Sequence, residues 1–234
     1  MARGKQLQEL VAQLRAETGR SQDISVGTDE VENLKVVIRR VQETLYDDYA
    51  WPHLRVQKEI SLASGQRHYD MPTGLNFDRI EQVKYKYNNV YTDLERGINF
   101  DDYSIFDSNA DIPDRSSPAL KWDIRHTGSA EQLEIWPIPN IVNKLYFFGT
   151  KTLNDLIQDS DRAEIDDRLI ILFAAAEILS RQKSPDARAK LEQANNRLLT
   201  LKRNSQADSK PIQIGLGNSV GDNSNRMKTR VIVS

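Results

Sequence analysis

Ile165-Asp166-Asp167-Arg168-Leu169-Ile170-Ile171-Leu172-Phe173-Ala174-Ala175-Ala176 is the stretch that decides the fold. Its eight consecutive apolar residues, Leu169 to Ala176, cannot make one face of an exposed helix; they need cover on most sides. The run is far short of the ~20 apolar residues that a membrane span requires. Asp166 and Asp167 stand where a helix N-terminus favours negative charge. The stretch therefore predicts a buried helix that continues through Glu177-Ile178-Leu179-Ser180-Arg181. A second start signal follows at once, with Ser184 as cap, Pro185 at the first helical position and Asp186 in the first turn. Ala187, Leu191, Ala194, Leu198 and Leu201 then trace a narrow apolar stripe along a charged helix, Pro185–Arg203.

A helix buried on most sides needs partners, and the N-terminal part of the chain offers them. Asp29 with Glu32 three residues on has the form of a capping box. Val31, Leu34, Ile38, Val41 and Leu45 repeat at helical spacing, so Asp29–Tyr49 can lay its stripe on Ile165–Arg181, with Pro185–Arg203 completing a bundle. Leu7, Leu10, Val11 and Leu14 mark a shorter amphipathic helix ahead of it, with Gly19 as its C-terminal cap.

Between the helical halves the period changes. Leu54–Leu62 alternates apolar and polar, Lys58 apart, as a half-buried strand does. His68–Pro72, Phe77–Tyr87, Val90–Glu95, Ala119–His126, Gln132–Trp136 and Val142–Thr150 read as further strands. The turns between them include Ala63-Ser64-Gly65-Gln66, Asn88-Asn89 and Thr127-Gly128-Ser129. The fold class is therefore α+β: a bundle from N- and C-terminal helices with an inserted antiparallel β domain, as a sheet or small sandwich. Its expected divisions are 1–52, 53–152 and 153–203, followed by a tail, 204–234. That tail is rich in Gly, Ser, Asn and Asp and too thinly apolar to fold alone, so it predicts an extended, partner-docking segment.

The residues give little reason to expect chemistry. There is no cysteine among 234 residues, which removes disulfides and thiolate catalysis, and the net charge of −2 demands neither nucleic acid nor disorder. Met1–Gln6 leads into a polar amphipathic segment, not a hydrophobic leader, and no apolar run reaches membrane length. His53, His68 and His126 show no paired spacing, so no metal site is expected. Asp101, Asp102, Asp107, Asp111 and Asp114 resemble a calcium loop only in charge, lacking the central Gly and terminal Glu, and read as a solvated acidic loop. No phosphate cradle, nucleophile elbow or zinc-protease motif appears, and neither an enzyme nor a cofactor is expected. Trp51, Trp122 and Trp136 read as core or interface packing, with a stacking platform for sugar or base as the functional alternative. Arg181, Lys183, Arg188, Lys190, Arg197, Lys202 and Arg203 make the last helix basic: a solvated face, or a contact for phosphate or an acidic protein surface.

The order of these parts resembles the head-to-tail adaptor (connector) proteins of tailed bacteriophages. The resemblance runs from Val31 to Arg203. It is carried by helices ending in Tyr46-Asp47-Asp48-Tyr49-Ala50-Trp51-Pro52, strands with Tyr69-Asp70-Met71-Pro72, Pro118–Trp122 and Leu133–Pro139, then an Ala-rich helix and a basic one. The first helix, Met1–Gly19, is not matched to that family. The resemblance implies a structural virion protein of the neck, assembled in the host cytoplasm. Such proteins form a homo-oligomeric ring, typically a dodecamer of about twelve copies, closed by heterologous contacts between neighbours. The ring would bind the portal protein above and tail or nozzle proteins below. Genomic double-stranded DNA would pass through it without sequence recognition, and no membrane is involved. On this reading Ile212, Ile214, Leu216, Arg230, Val231, Ile232 and Val233 dock the portal, while Arg188, Lys190, Arg197, Lys202 and Arg203 face the channel or an acidic surface. The alternative is a monomeric sheet-containing binding module for carbohydrate or nucleic acid.

Overall fold

The computed structural model describes residues 3–21, 28–103, 115–128 and 130–207. Among the described residues four α-helices, α1 (Leu7–Glu17), α2 (Thr28–Asp47), α3 (Asp167–Arg181) and α4 (Asp186–Ala207), flank eight strands in sequence. The strands are β1 (Arg55–Leu62), β2 (His68–Asp70), β3 (Leu75–Tyr87), β4 (Val90–Asp93), β5 (Glu95–Arg96), β6 (Lys121–His126), β7 (Glu131–Trp136) and β8 (Asn143–Lys151). The chain is α+β, as its hydrophobic periods dictate.

The apolar run of α3 is the centre of the helical core. Leu169, Ile170, Ala174, Ala175 and Ile178 are buried against Leu34, Ile38 and Leu45 of α2 and Leu7, Leu10 and Leu14 of α1. Asp166 starts the helix: its Oδ1 accepts from the Leu169 N–H at 3.0 Å. That cap contributes about 1 kcal/mol. The first helix is fully part of this core. Its entry is stitched to the segment before α3 by Leu7 N–H to the Asp161 carbonyl (2.8 Å) and Ala163 N–H to the Lys5 carbonyl (3.1 Å).

The helices differ from the sequence expectation at their ends and in how much of one stripe is covered. Thr28 is already helical, so Asp29 lies inside α2 and does not precede it. At the other end α4 continues four residues beyond Arg203, to Ala207, taking over the start of the predicted tail. The apolar stripe of α4 is only half used: Ala194 and Leu201 are buried, whereas Leu191 is 46% exposed. The early part of α4 borders a groove, which leaves this leucine partly open to solvent.

The strands form two four-stranded sheets, in the orders β1-β8-β3-β4 and β2-β7-β6-β5. All pairings are antiparallel except the two-residue β5–β6 pair. Leu62, Val83, Tyr85, Leu145 and Phe147 of the first sheet share one core with Tyr69, Trp122, Leu133 and Ile135 of the second, which makes the insertion a small sandwich. Successive strands change sheets at Ala63–Arg67. That turn is held by the Tyr69 hydroxyl, which accepts from the Ala63 N–H (3.2 Å) and donates to the Gln66 carbonyl (2.9 Å). Burial pushes this phenol up to about 12. The β3–β4 hairpin turns through Asn88 (φ 47°) and Asn89 (φ 62°), the left-handed pair that a two-residue hairpin requires.

Polar clamps join the halves. The Tyr46 hydroxyl donates to the Lys151 carbonyl (2.9 Å), and Arg79 of β3 donates to the Tyr46 carbonyl (2.6 Å) and the Asp47 carbonyl (2.8 Å) at the end of α2. Lys151 also pairs with Glu164. The last strand and the last turn of α2 are thereby fixed to one another.

Candidate assembly surfaces

A cluster of charge lies on the outer face of the second sheet. Glu134 of β7 is 1% exposed, and its carboxylate accepts from Arg67 Nε (2.7 Å), the Tyr103 hydroxyl (2.7 Å) and Arg125 Nε (2.9 Å). Arg67 also stacks over the Tyr103 and Trp136 rings, 4.3 and 5.4 Å from their centroids. Burial alone would push Glu134 up; the tyrosine and the two guanidinium groups outweigh it and hold its carboxyl below the usual range. A carboxylate so fully engaged serves as a tie between β6, β7, the residue ahead of β2 and the segment near Tyr103. Strand alternation puts Glu134 on the same side as Gln132, which reads as a solvent face. No local signal marks it as buried, because its partners come from three separate segments.

The histidines do not converge. His53 contacts the Glu164 carbonyl at 2.8 Å, and burial holds its pKa below the ordinary value. His68 pairs in register with Glu134 and is likewise held low by burial, with the neighbouring arginines adding to the effect. Among the described residues no group of three or more His, Cys, Asp or Glu is placed to hold a metal ion. Asp102 pairs with Lys121 (2.7 Å) and accepts from the Asn99 N–H (2.8 Å), which holds its carboxyl low. Asp107, Asp111 and Asp114 lie outside the described residues.

The tryptophans pack. Trp51 is buried and donates its indole N–H to the Leu45 carbonyl at 2.8 Å, ending the α2 turn. Trp122 is buried in the sandwich, and Trp136 meets Tyr103 edge-on. Two of the three rings thus have no face left for a sugar or base.

The basic helix divides into engaged and exposed charges. Arg197 reaches back to the buried Asp166, Nη2 to Oδ2 at 2.7 Å, and locks α4 to the start of α3. Lys190 pairs with Glu17 of α1, and Lys202 sits over the Tyr49 ring at 5.3 Å. Arg188 and Arg203 are exposed. Ile212, Ile214, Leu216, Arg230, Val231, Ile232 and Val233 lie outside the described residues. Beside the first half of α4, α2 and α3 enclose a groove of about 830 Å³, floored by Val41, Leu45, Phe173 and Ala176. Among the described residues no helix is long and apolar enough to cross a membrane.

No curated protein matches the chain. The sequence profile described as SU10 adaptor protein matches residues 5–215, from the strand-like entry of α1 past the end of α4. That span takes in α1, which the sequence reading left outside the resemblance, together with both halves of the fold and the basic helix. The chain belongs to the SU10 adaptor protein family, a phage structural adaptor of the virion neck.

Proposed function

We propose that this adaptor acts as a ring: copies close around the DNA path between portal and tail, and the segment beyond α4 docks each copy on the portal. The observation that carries the reading is α4 itself. It is a 22-residue helix in which, among the described side chains, only Ala194 and Leu201 are deeply buried and Arg188 and Arg203 are turned to solvent. The solvent-facing side of this helix, held to its own chain through Ala194, Leu201 and Arg197, presents Arg188 and Arg203 to other subunits and to phosphate, as a family of adaptors would use them. Contact with passing DNA is then electrostatic and blind to sequence, since base-specific binding would stall passage. The portal anchors are Ile212, Ile214 and Leu216, whose alternate spacing points one way in an extended strand, and Arg230 with Val231, Ile232 and Val233, whose β-branched run suits addition to a sheet edge. Ordering such a segment costs about 1 kcal/mol or more per residue, so both anchors are needed.

The test is deletion of Ser209–Ser234. The truncated chain is expected to melt as the full chain does, because the described cores end at Leu201, but to lose most of its affinity for portal. Full retention of portal binding refutes the docking role of the tail. A full chain that stays monomeric at every concentration, with portal present, refutes the ring.

A further inference from the structure

We propose that the groove between α2, α3 and α4 receives the Ile157 loop of a second copy of this chain, so that neighbours join knob into groove. This rests on the ring reading and names the contact that would close it. The knob is Ile157, 66% exposed in the connection between β8 and α3. An isoleucine so exposed is unremarkable on a floppy loop, but this loop is braced. Asp161 Oδ2 accepts from the Ile157 N–H (2.8 Å) and the Gln158 N–H (2.6 Å). Arg39 of α2 donates to the Leu156 and Ile157 carbonyls, and Lys35 pairs with Asp159 at 2.7 Å. The apolar side chain is thus held out on a rigid frame, and docking it would cost little further ordering.

The groove answers it in shape and charge. Its lining includes the apolar Val41, Leu45, Phe173 and Ala176, and Leu191, 46% exposed, borders it. On its walls Arg40 and Arg181 share the carboxylate of Glu177, while Lys183 and Arg188 stand with Asp48, which leaves the groove net positive. The knob is flanked by Asp155, Asp159 and Asp161, of which Asp159 is already paired with Lys35. Opposite charges at this rim favour the pairing and fix its register.

The two surfaces cannot meet within one chain. Lys35, Arg39 and Gln42 hold the loop on one flank of α2, while Arg40, Thr44 and Asp48 face the groove. At 100° per residue these sets lie roughly 170° apart around the helix. Two unlike surfaces on opposite flanks of a subunit give a heterologous contact, which propagates from copy to copy and closes when the rotation allows. The tail following α4 is the rival occupant. It leaves from the far end of a helix about 33 Å long.

The absence of cysteine makes the test clean. Full-length Ile157→Cys and Leu191→Cys chains, both altered at exposed positions, are mixed and oxidised; the double variant is oxidised alone. The expected result is a disulfide between unlike chains in the mixture and a ladder of oligomers, one rung per subunit, in the double variant. An assembly seen by native mass with no such disulfide, or with Ile157→Cys joining chiefly to itself, overturns the groove contact and leaves the ring standing. A chain monomeric at every concentration, portal present, overturns both. A cross-link absent from the assembled full chain and gained on deleting Ser209–Ser234 overturns it in favour of the tail as occupant.

Discussion

Glu134→Gln removes one charge from the buried tie of the second sheet while keeping the side chain's size. Glutamine can still accept from the Tyr103 hydroxyl, but Arg67, itself 9% exposed at the side chain, loses its counter-charge. Breaking a buried ion pair costs about 3–5 kcal/mol, and the hydrogen bonds that survive in glutamine put the expected loss near the lower figure, about 3 kcal/mol. If the two halves unfold together, a chain of this size loses roughly 2–4 °C per kcal/mol, hence about 6–12 °C. If the sandwich, with its separate core, unfolds alone, the fall is about twice as steep. The pH dependence sharpens the test. The folded carboxyl is held below its unfolded value of about 4.3, so its contribution is complete above that value and is lost as pH falls through the folded one. Thermal scans of the native chain and Glu134→Gln should therefore differ most at neutral pH and converge in acid. A loss under about 2 °C at pH 7, or a gap that persists unchanged at pH 3, refutes the assignment of Glu134 as an ionised tie.

Arg197→Ala and Arg188→Ala should separate structural from surface cations on the same helix. The first leaves Asp166 buried without its partner and should cost about 1–3 kcal/mol, moderated because the guanidinium is partly wet; the second should leave melting unchanged while weakening salt-sensitive DNA binding. Gly149→Ala should destabilise by about 1–3 kcal/mol in chemical denaturation, since its Cβ would stand 2.7 Å from the Arg79 carbonyl oxygen. Arg79 is itself clamped to the end of α2, so the backbone there has little room to yield, and an unchanged midpoint would contradict that clamp.

Much of the architecture was written in local pattern. The apolar run of α3, the cap at Asp166, the stripes of α1 and α2 and the asparagine hairpin each act within a few residues, where steric and hydrophobic rules are strong. The same locality explains the resemblance to a phage adaptor, which the profile match over residues 5–215 bears out at the level of the family. Tertiary structure decided what depends on distant partners. Sequence alternation made Glu134 a solvent-facing residue; only the meeting of Arg67, Tyr103 and Arg125 turned it into a buried one. Composition made α4 uniformly basic; only its crossing over Asp166, Glu17 and Tyr49 divided those charges into engaged and exposed. Spacing gave Leu191 a place in a core stripe, and the splay of α4 from α2 left it at the edge of an open groove. A periodic pattern states which face of a helix is apolar, but the packing of the other elements sets how much of that face is covered.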